Sequence, residues 1–372
     1  MRRLFTVLAI LLIPAATAGS AASTGYIVVL RDGANPAAVA AEHASRLGLT
    51  VSFVYTHALE GYAAAVPAGA LDSVRADPRV AYVEPDSTVH VDTTEPNATW
   101  GIDRIDQRAL PLSGTYSYTA TGAGVTAYVI DTGIRQTHTE FGGRAVPGVD
   151  TTTPVGLTTT DCNGHGTHVS GTIGGATYGV AKGVRLVAVR VLGCAGVGLN
   201  SSVIAGVDWV TGDHAAGQPA VANMSLGGGK SAALDQAVAN SIADGITYAV
   251  AAGNDTADAC TGSPADVPVA ITVGATTDTD ARASYSDFGR CVDFFAPGSN
   301  ITSAYFLTDT STQTLSGTSM ATPHVTGAAA LYLQSNPAAT PQQVRDALYS
   351  LTTKGAVTDA RSANADLLFS NF

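Results

Sequence analysis

The 372-residue chain reads as an α/β protein: a doubly wound, mostly parallel sheet preceded by a small ferredoxin-like α+β domain. Three observations predict this. Beyond about residue 100, runs almost continuous in Val, Ile and Ala alternate with stretches of helical spacing, the pattern of parallel strands covered on both faces. Between residues 25 and 91 a shorter series follows β-α-β-β-α-β order, the split βαβ arrangement. A polar stretch, "DSTVHVDTTEPNATWG", separates the two.

The elements follow in order. "MRRLFTVLAILLIPAATAGS" carries Arg2 and Arg3, an apolar run over 4–13 and Ala16-Thr17-Ala18, so residues 1–18 have the layout of a signal peptide. The run is too short to span a membrane, and no other apolar run is long enough. Arg2-Arg3 leaves the Sec and twin-arginine export routes both open. In residues 25–91, "YIVVL", "VSFVYTH", "GYAAAV" and "VAYVEPD" are strands and "AGALDSVRAD" is a helix. "NPAAVAAEHASRLG" is a helix that Pro36 can start and Gly48 can end. Residues 92–99 form a linker with a processing site. From residue 100 to 372 the strands are "GVTAYVID", "RLVAVRVL", "AVANMSL", "ITYAVAA" and "VAITVGA". The helices between them are "GTHVSGTIGG", "SSVIAGVDWVTGDHAAG" and "SAALDQAVANSIADG".

Composition narrows the function. With 45% hydrophobic and 13% charged residues the chain is globular, and a net charge of −11 lacks the basic face that nucleic acid needs. Four cysteines in an exported chain suggest two disulfides, with three pairings open; Cys162–Cys194 and Cys260–Cys291 would close two loops of similar length. No C-x-x-C is present, which argues against a zinc ribbon.

In sheets of this kind ligands bind beyond the carboxyl ends of the strands. Asp131 stands there, directly after "AYVI". His165 sits in "DCNGHGTHVSGT", where glycines open a helix bearing Val169 and Ile173. His168 lies three residues on, but without a third ligand it reads as a packed helix residue rather than half of a metal pair. Asn254 ends "ITYAVAAGN", and Ser319 precedes a helix whose first turn can accept Pro323. Singly these are a turn Asp, a helix-start His, a turn Asn and a capping Ser. Together they meet the needs of acyl transfer: a nucleophile, a base, a group that orients the base, and donors for an oxyanion. The order Asp–His–Ser is that of subtilisin, whereas an α/β-hydrolase would need Ser first in a G-x-S-x-G elbow. Here the residues are Gly317-Thr318-Ser319-Met320-Ala321, without the second glycine.

The motifs "VIDTGI", "NGHGTHVSGTIGG", "ANMSLGGG", "AVAAGN" and "GTSMATPHVTGAAALYL" resemble the subtilase signatures, in particular the proteinase K-like branch and its aqualysin-type bacterial enzymes. The likeness runs from about residue 100 onward, and residues 25–91 resemble a subtilase inhibitor-type pro-domain. It implies a secreted serine endopeptidase with Asp131, His165 and Ser319 as triad, and Asn254 with the Ser319 N–H as oxyanion hole. Ser225-Leu226-Gly227 and Gly196-Val197-Gly198 match the segments that flank a peptide substrate as an added strand. Ala251, Ala252 and Gly253 match the wall of the primary pocket, implying an apolar slot with no charge at its base and cleavage after bulky apolar residues. The resemblance also favours Cys162–Cys194 and Cys260–Cys291 as the disulfides.

Structural calcium is implied at two places: the Pro268 and Ala270 carbonyls with Asp293, and Asp103, Asp106 and Gln107, where Ser113 and Thr115 replace ligands of related enzymes. Oxygen donors suit such a hard cation, and no catalytic cofactor is expected. Expected partners are peptide and protein substrates and the chain's own pro-domain, with neither nucleic acid nor membrane, on a monomer. A catalytically silent binding or inhibitory homologue is the alternative, and the intact set Asp131, His165, Asn254 and Ser319 weighs against it.

Overall fold

The computed structural model describes residues 23–56, 59–86, 93–152 and 158–372, so the signal-peptide reading of residues 1–18 lies outside it. The chain divides into two compact units, residues 1–90 and 91–372.

In the first unit two helices, Pro36–Leu47 and Leu71–Arg75, accompany a four-stranded antiparallel sheet. Its strands lie in the order Thr50–Tyr55, Gly61–Pro67, Ser23–Leu30, Val80–Pro85. Asn35 caps the first helix by accepting the Ala38 N–H, and Gly48 closes it in the left-handed conformation. Val28, Val39, Tyr62, Val66 and Val74 fill the core.

The second unit is a seven-stranded sheet in which every pairing is parallel. Its order is Phe294–Pro297, Ile271–Thr276, Thr247–Ala251, Ala220–Met224, Thr126–Asp131, Arg185–Arg190, Ala145–Asp150. Successive side chains of one strand enter different cores, as a strand's period of two dictates. Ala127 and Val129 join the cluster that holds Val169, Ile173, Val325 and Ala329. Tyr128 and Ile130 join the one with Val203, Val207, Leu234 and Val238. The helix Thr318–Ser335 is buried almost all round, so its sequence needs no polar face.

Several elements differ from the sequence expectation. Thr93–Pro96, read as linker, pairs antiparallel with Thr115–Tyr118, and Glu95 forms an ion pair with Lys182 at 2.6 Å. The strand Ala145–Asp150 was hidden by Pro147 and Gly148, which an edge strand with a bulge tolerates. The helix Pro341–Leu351 was also missed, although Thr340 and Gln343 form a reciprocal capping box. Pro323 stands in the second turn of its helix rather than the first.

Cys162 is bonded to Cys194 and Cys260 to Cys291, the pairs favoured by the resemblance. Each closes a loop of about thirty residues, for which chain entropy assigns roughly 3–4 kcal/mol. Replacing Cys260 and Cys291 by Ser should lower unfolding free energy by about that amount in urea titration.

Two buried histidines add a pH dependence. Burial holds both His168 and His324 down at about 4. His168 Nε2 donates to the Ile301 and Gln313 carbonyls, and His324 Nδ1 to that of Met320. The unfolded chain takes up these protons near pH 6.5 while the fold refuses them until about 4. Stability should therefore be lost as pH falls through that window, by roughly 3 kcal/mol per histidine. Thermal unfolding at pH 7 and 4.5 measures it, and His324→Gln should remove about half of the slope.

Candidate active site

Asp131 ends a central strand and is fully buried. The chain leaves that strand toward one side of the sheet and returns on the other, which opens a crevice at the strand's carboxyl end. Thr132 N–H donates to Asp131 Oδ1 at 2.7 Å, and both carboxylate oxygens lie 2.9 Å from His165 Nδ1. That contact fixes the imidazole with Nδ1 protonated and Nε2 as the lone-pair nitrogen. Burial would push His165 down, but the Asp131 charge and hydrogen bond outweigh it and hold the imidazole above its ordinary value.

His165 is the first residue of the helix His165–Gly174. Asp161, buried, organises that start by accepting Thr132 Oγ1, the N–H groups of Asn163, Gly164 and Thr167, and Thr167 Oγ1. Gly166 is required beside it, because a Cβ there would stand 2.1 Å from the Gly133 carbonyl oxygen. Sequence reasoning missed Asp161, which stands three residues before the N-cap Gly164, outside the positions where helix-start signals are read.

Ser319 is the second residue of the helix Thr318–Ser335, where N–H groups have no intrahelical acceptor and the helix end is positive. Its Oγ donates to the Ser225 carbonyl at 3.1 Å. Pro323 has no N–H to give the Ser319 carbonyl, and Ser225 Oγ donates there instead at 2.8 Å. Asn223 Nδ2 donates to Ser225 Oγ and its Oδ1 accepts Thr326 Oγ1, so a buried polar chain ties the segment after one strand to the serine's helix. Asn254 Oδ1 accepts the N–H and hydroxyl of Thr318, at 2.8 and 3.0 Å. Thr318 is thus a positioning residue that leaves the Asn254 amide N–H₂ as the group available to a ligand.

The residues expected to act together border two adjoining cavities. One, of about 410 Å³, is lined by His165, Ser319, Gly196, Val197, Gly198, Ser225, Leu226 and Gly227. The other, of about 480 Å³, is lined by Ser319, Asn254, Ala251, Ala252 and Gly253. It departs from the expected uncharged slot, because Asp255 and Asp287 also line it. Asp287 arrives from far along the sequence and packs under Gly253, which local motif reading does not reveal.

The two places expected to hold calcium differ. Arg345 donates to the Pro268 carbonyl and to Asp293 Oδ1, while Thr272 N–H takes Oδ2, so a guanidinium fills the cation position and these oxygens do not fit a metal as arranged. At the other, Ser113 and Gly114 donate to Asp103, and Ser113 N–H to Gln107 Oε1. Asp106 Oδ1 there is buried without a partner, and burial pushes Asp106 up to about 6. The orphaned Asp106 oxygen is a donor of the kind a hard cation takes, whereas the Asp103 and Gln107 oxygens already accept N–H and O–H groups. Among the described residues no group of three or more His, Cys, Asp or Glu side chains is placed to hold a metal. No helix among them is long and apolar enough to cross a membrane.

Residues 122–366 match the Subtilase family, Peptidase_S8, and residues 25–92 match Peptidase inhibitor I9. An extracellular serine proteinase of Thermus sp. (strain Rt41A) is 62% identical over 321 residues, 86% of this chain and 78% of its own. Alkaline serine exoprotease A of Vibrio alginolyticus is 53% identical over 328 residues, 87% of this chain and 60% of its own. The crystal structure of a cold adapted subtilisin-like serine proteinase superposes with a TM-score of 0.72 at 55% identity, covering 74% of this chain and 99% of that one. The chain belongs to the subtilase family and is a subtilisin-like serine endopeptidase with an inhibitor I9 pro-domain.

Proposed function

We propose that the protein is a secreted, self-processing endopeptidase in which Ser319 is the nucleophile, His165 the general base and acid, and Asp131 the group that orients His165. The observation that carries this is the contact of both Asp131 oxygens with His165 Nδ1, beside a cavity that His165 and Ser319 share. An extended peptide lies between Gly196–Val197–Gly198 and Ser225–Leu226–Gly227 and is gripped through its main chain. The Ser319 hydroxyl turns from the Ser225 carbonyl to His165 Nε2 and loses its proton there as Oγ attacks the scissile carbonyl. The oxyanion is received by the Ser319 N–H and the Asn254 amide. His165 passes its proton to the leaving amine, and water then releases the acyl group by the same path. Asn254→Ala should lower kcat by about 10²–10³-fold with KM little changed.

The wall of Ala251, Ala252 and Gly253 admits bulky apolar residues before the cut. The signal-peptide layout and the extracellular relatives support secretion, and the I9 match supports a pro-domain that inhibits the enzyme until it is removed. The cut lies near residues 92–94. Asp103, Asp106 and Gln107 would hold a structural calcium, whose chemistry there is neutralisation of buried carboxylates. Intact mass of the secreted product tests the self-processing. The wild type should lose the segment before about residue 93 while Ser319→Ala keeps it; equal trimming of both contradicts the reading.

A further inference from the structure

The cavity along Ala251, Ala252 and Gly253 holds a carboxylate that the proposed chemistry does not use. Asp287 is 7% exposed and lines this cavity together with Ser319 and Asn254. Its position is fixed: Oδ1 accepts the N–H groups of Asp255 and Ala257, each at 2.8 Å, and its own N–H donates to the Gly253 carbonyl at 3.0 Å. Oδ2 accepts no hydrogen bond among the described residues and keeps contact with solvent. It lies against Gly253, where a Cβ would come within 2.2 Å of it. Gly253 also has φ +113°, so both conformation and space keep a side chain off that part of the wall. Asp255, exposed, adds a second acidic group, and among the described residues no Lys, Arg or His lines the cavity.

Oδ2 is thus held in place at the cavity wall with its charge unpaired, where a cationic ligand group can reach it. We propose that Asp287 is a specificity-determining residue that lets the pocket take a Lys or Arg side chain before the scissile bond as well as bulky apolar ones. The aliphatic stem of such a side chain lies along Ala251, Ala252 and Gly253, and its cationic head meets Oδ2 in a charge-assisted hydrogen bond. The proposal rests on the reading of this cavity as the primary pocket.

The test compares kcat/KM for two peptides identical except for Lys or norleucine before the cut, which share an unbranched stem and differ in charge. Asp287→Asn keeps an oxygen for the two N–H groups and removes the charge. The ratio of Lys to norleucine cleavage should fall about tenfold in the variant. An unchanged ratio, or a wild type that cuts only the norleucine peptide, overturns the proposal and leaves the endopeptidase reading standing. Cleavage of neither peptide overturns both. Should the variant not fold, inhibition of the wild type decides: benzamidine should bind at least about tenfold more tightly than neutral benzyl alcohol, and equal inhibition contradicts the proposal.

Discussion

Ser319→Ala is expected to lower kcat on a peptide substrate by about 10⁶-fold, the largest effect any single substitution here should have. In the proposed mechanism the hydroxyl forms the acyl bond, and without it only substrate binding and the oxyanion donors would act, which leaves a residual of about 10³–10⁴ over water. The loss should fall on kcat, because the edges at Gly196–Val197–Gly198 and Ser225–Leu226–Gly227 are untouched. If maturation is autocatalytic as proposed, the variant also keeps its pro-domain, so the measurement should follow removal of that segment by an unrelated protease. Inhibition is then not mistaken for lost chemistry. A variant retaining a tenth of wild-type activity would move the nucleophile elsewhere.

Asp131→Asn should cost about 10⁴-fold in kcat with the fold intact. The amide can occupy the same space, but it offers an N–H₂ toward His165 and stabilises the tautomer whose lone pair is on Nδ1. It also removes the charge that holds His165 above its ordinary value. The sign of the pH effect follows. In its proposed role as base His165 must be neutral, so the wild-type kcat/KM should fall as pH drops through the raised pKa. In Asp131→Asn that acid limb should move to lower pH, since burial is then opposed only by the smaller effect of the Asp161 charge. An unshifted limb would mean that the titrating group is not His165.

Much of this was legible in the sequence because local rules and global fold agree. Strands such as Thr126–Asp131 announce themselves by unbroken apolar runs, and Asp131 by its position at the end of one. The His165 segment is marked by glycines that close packing demands, Gly166 against the Gly133 carbonyl above all. What stayed hidden depends on distant parts of the chain. Thr318 carries no motif signal of its own, yet it holds Asn254, 64 residues away in sequence. The chain Thr326–Asn223–Ser225–Ser319 joins strand, loop and helix through side chains with no spacing rule. Asp287 and Arg345 belong to the same class, since each brings a charge to a place that motif matching treats as uncharged or metal-filled. Pro147 and Gly148 hid an edge strand for a different reason: they violate propensity where an edge position forgives it.

The central claim is that Ser319 carries the acyl group, activated by His165. Its most direct test is covalent labelling of the matured enzyme with a fluorophosphonate, followed by intact mass and peptide mapping. One adduct per molecule, on Ser319, formed by native but not by denatured protein and suppressed as pH falls through the His165 pKa, is the predicted result. Labelling of another residue, or full peptidase activity in unlabelled protein after exhaustive treatment, would contradict it.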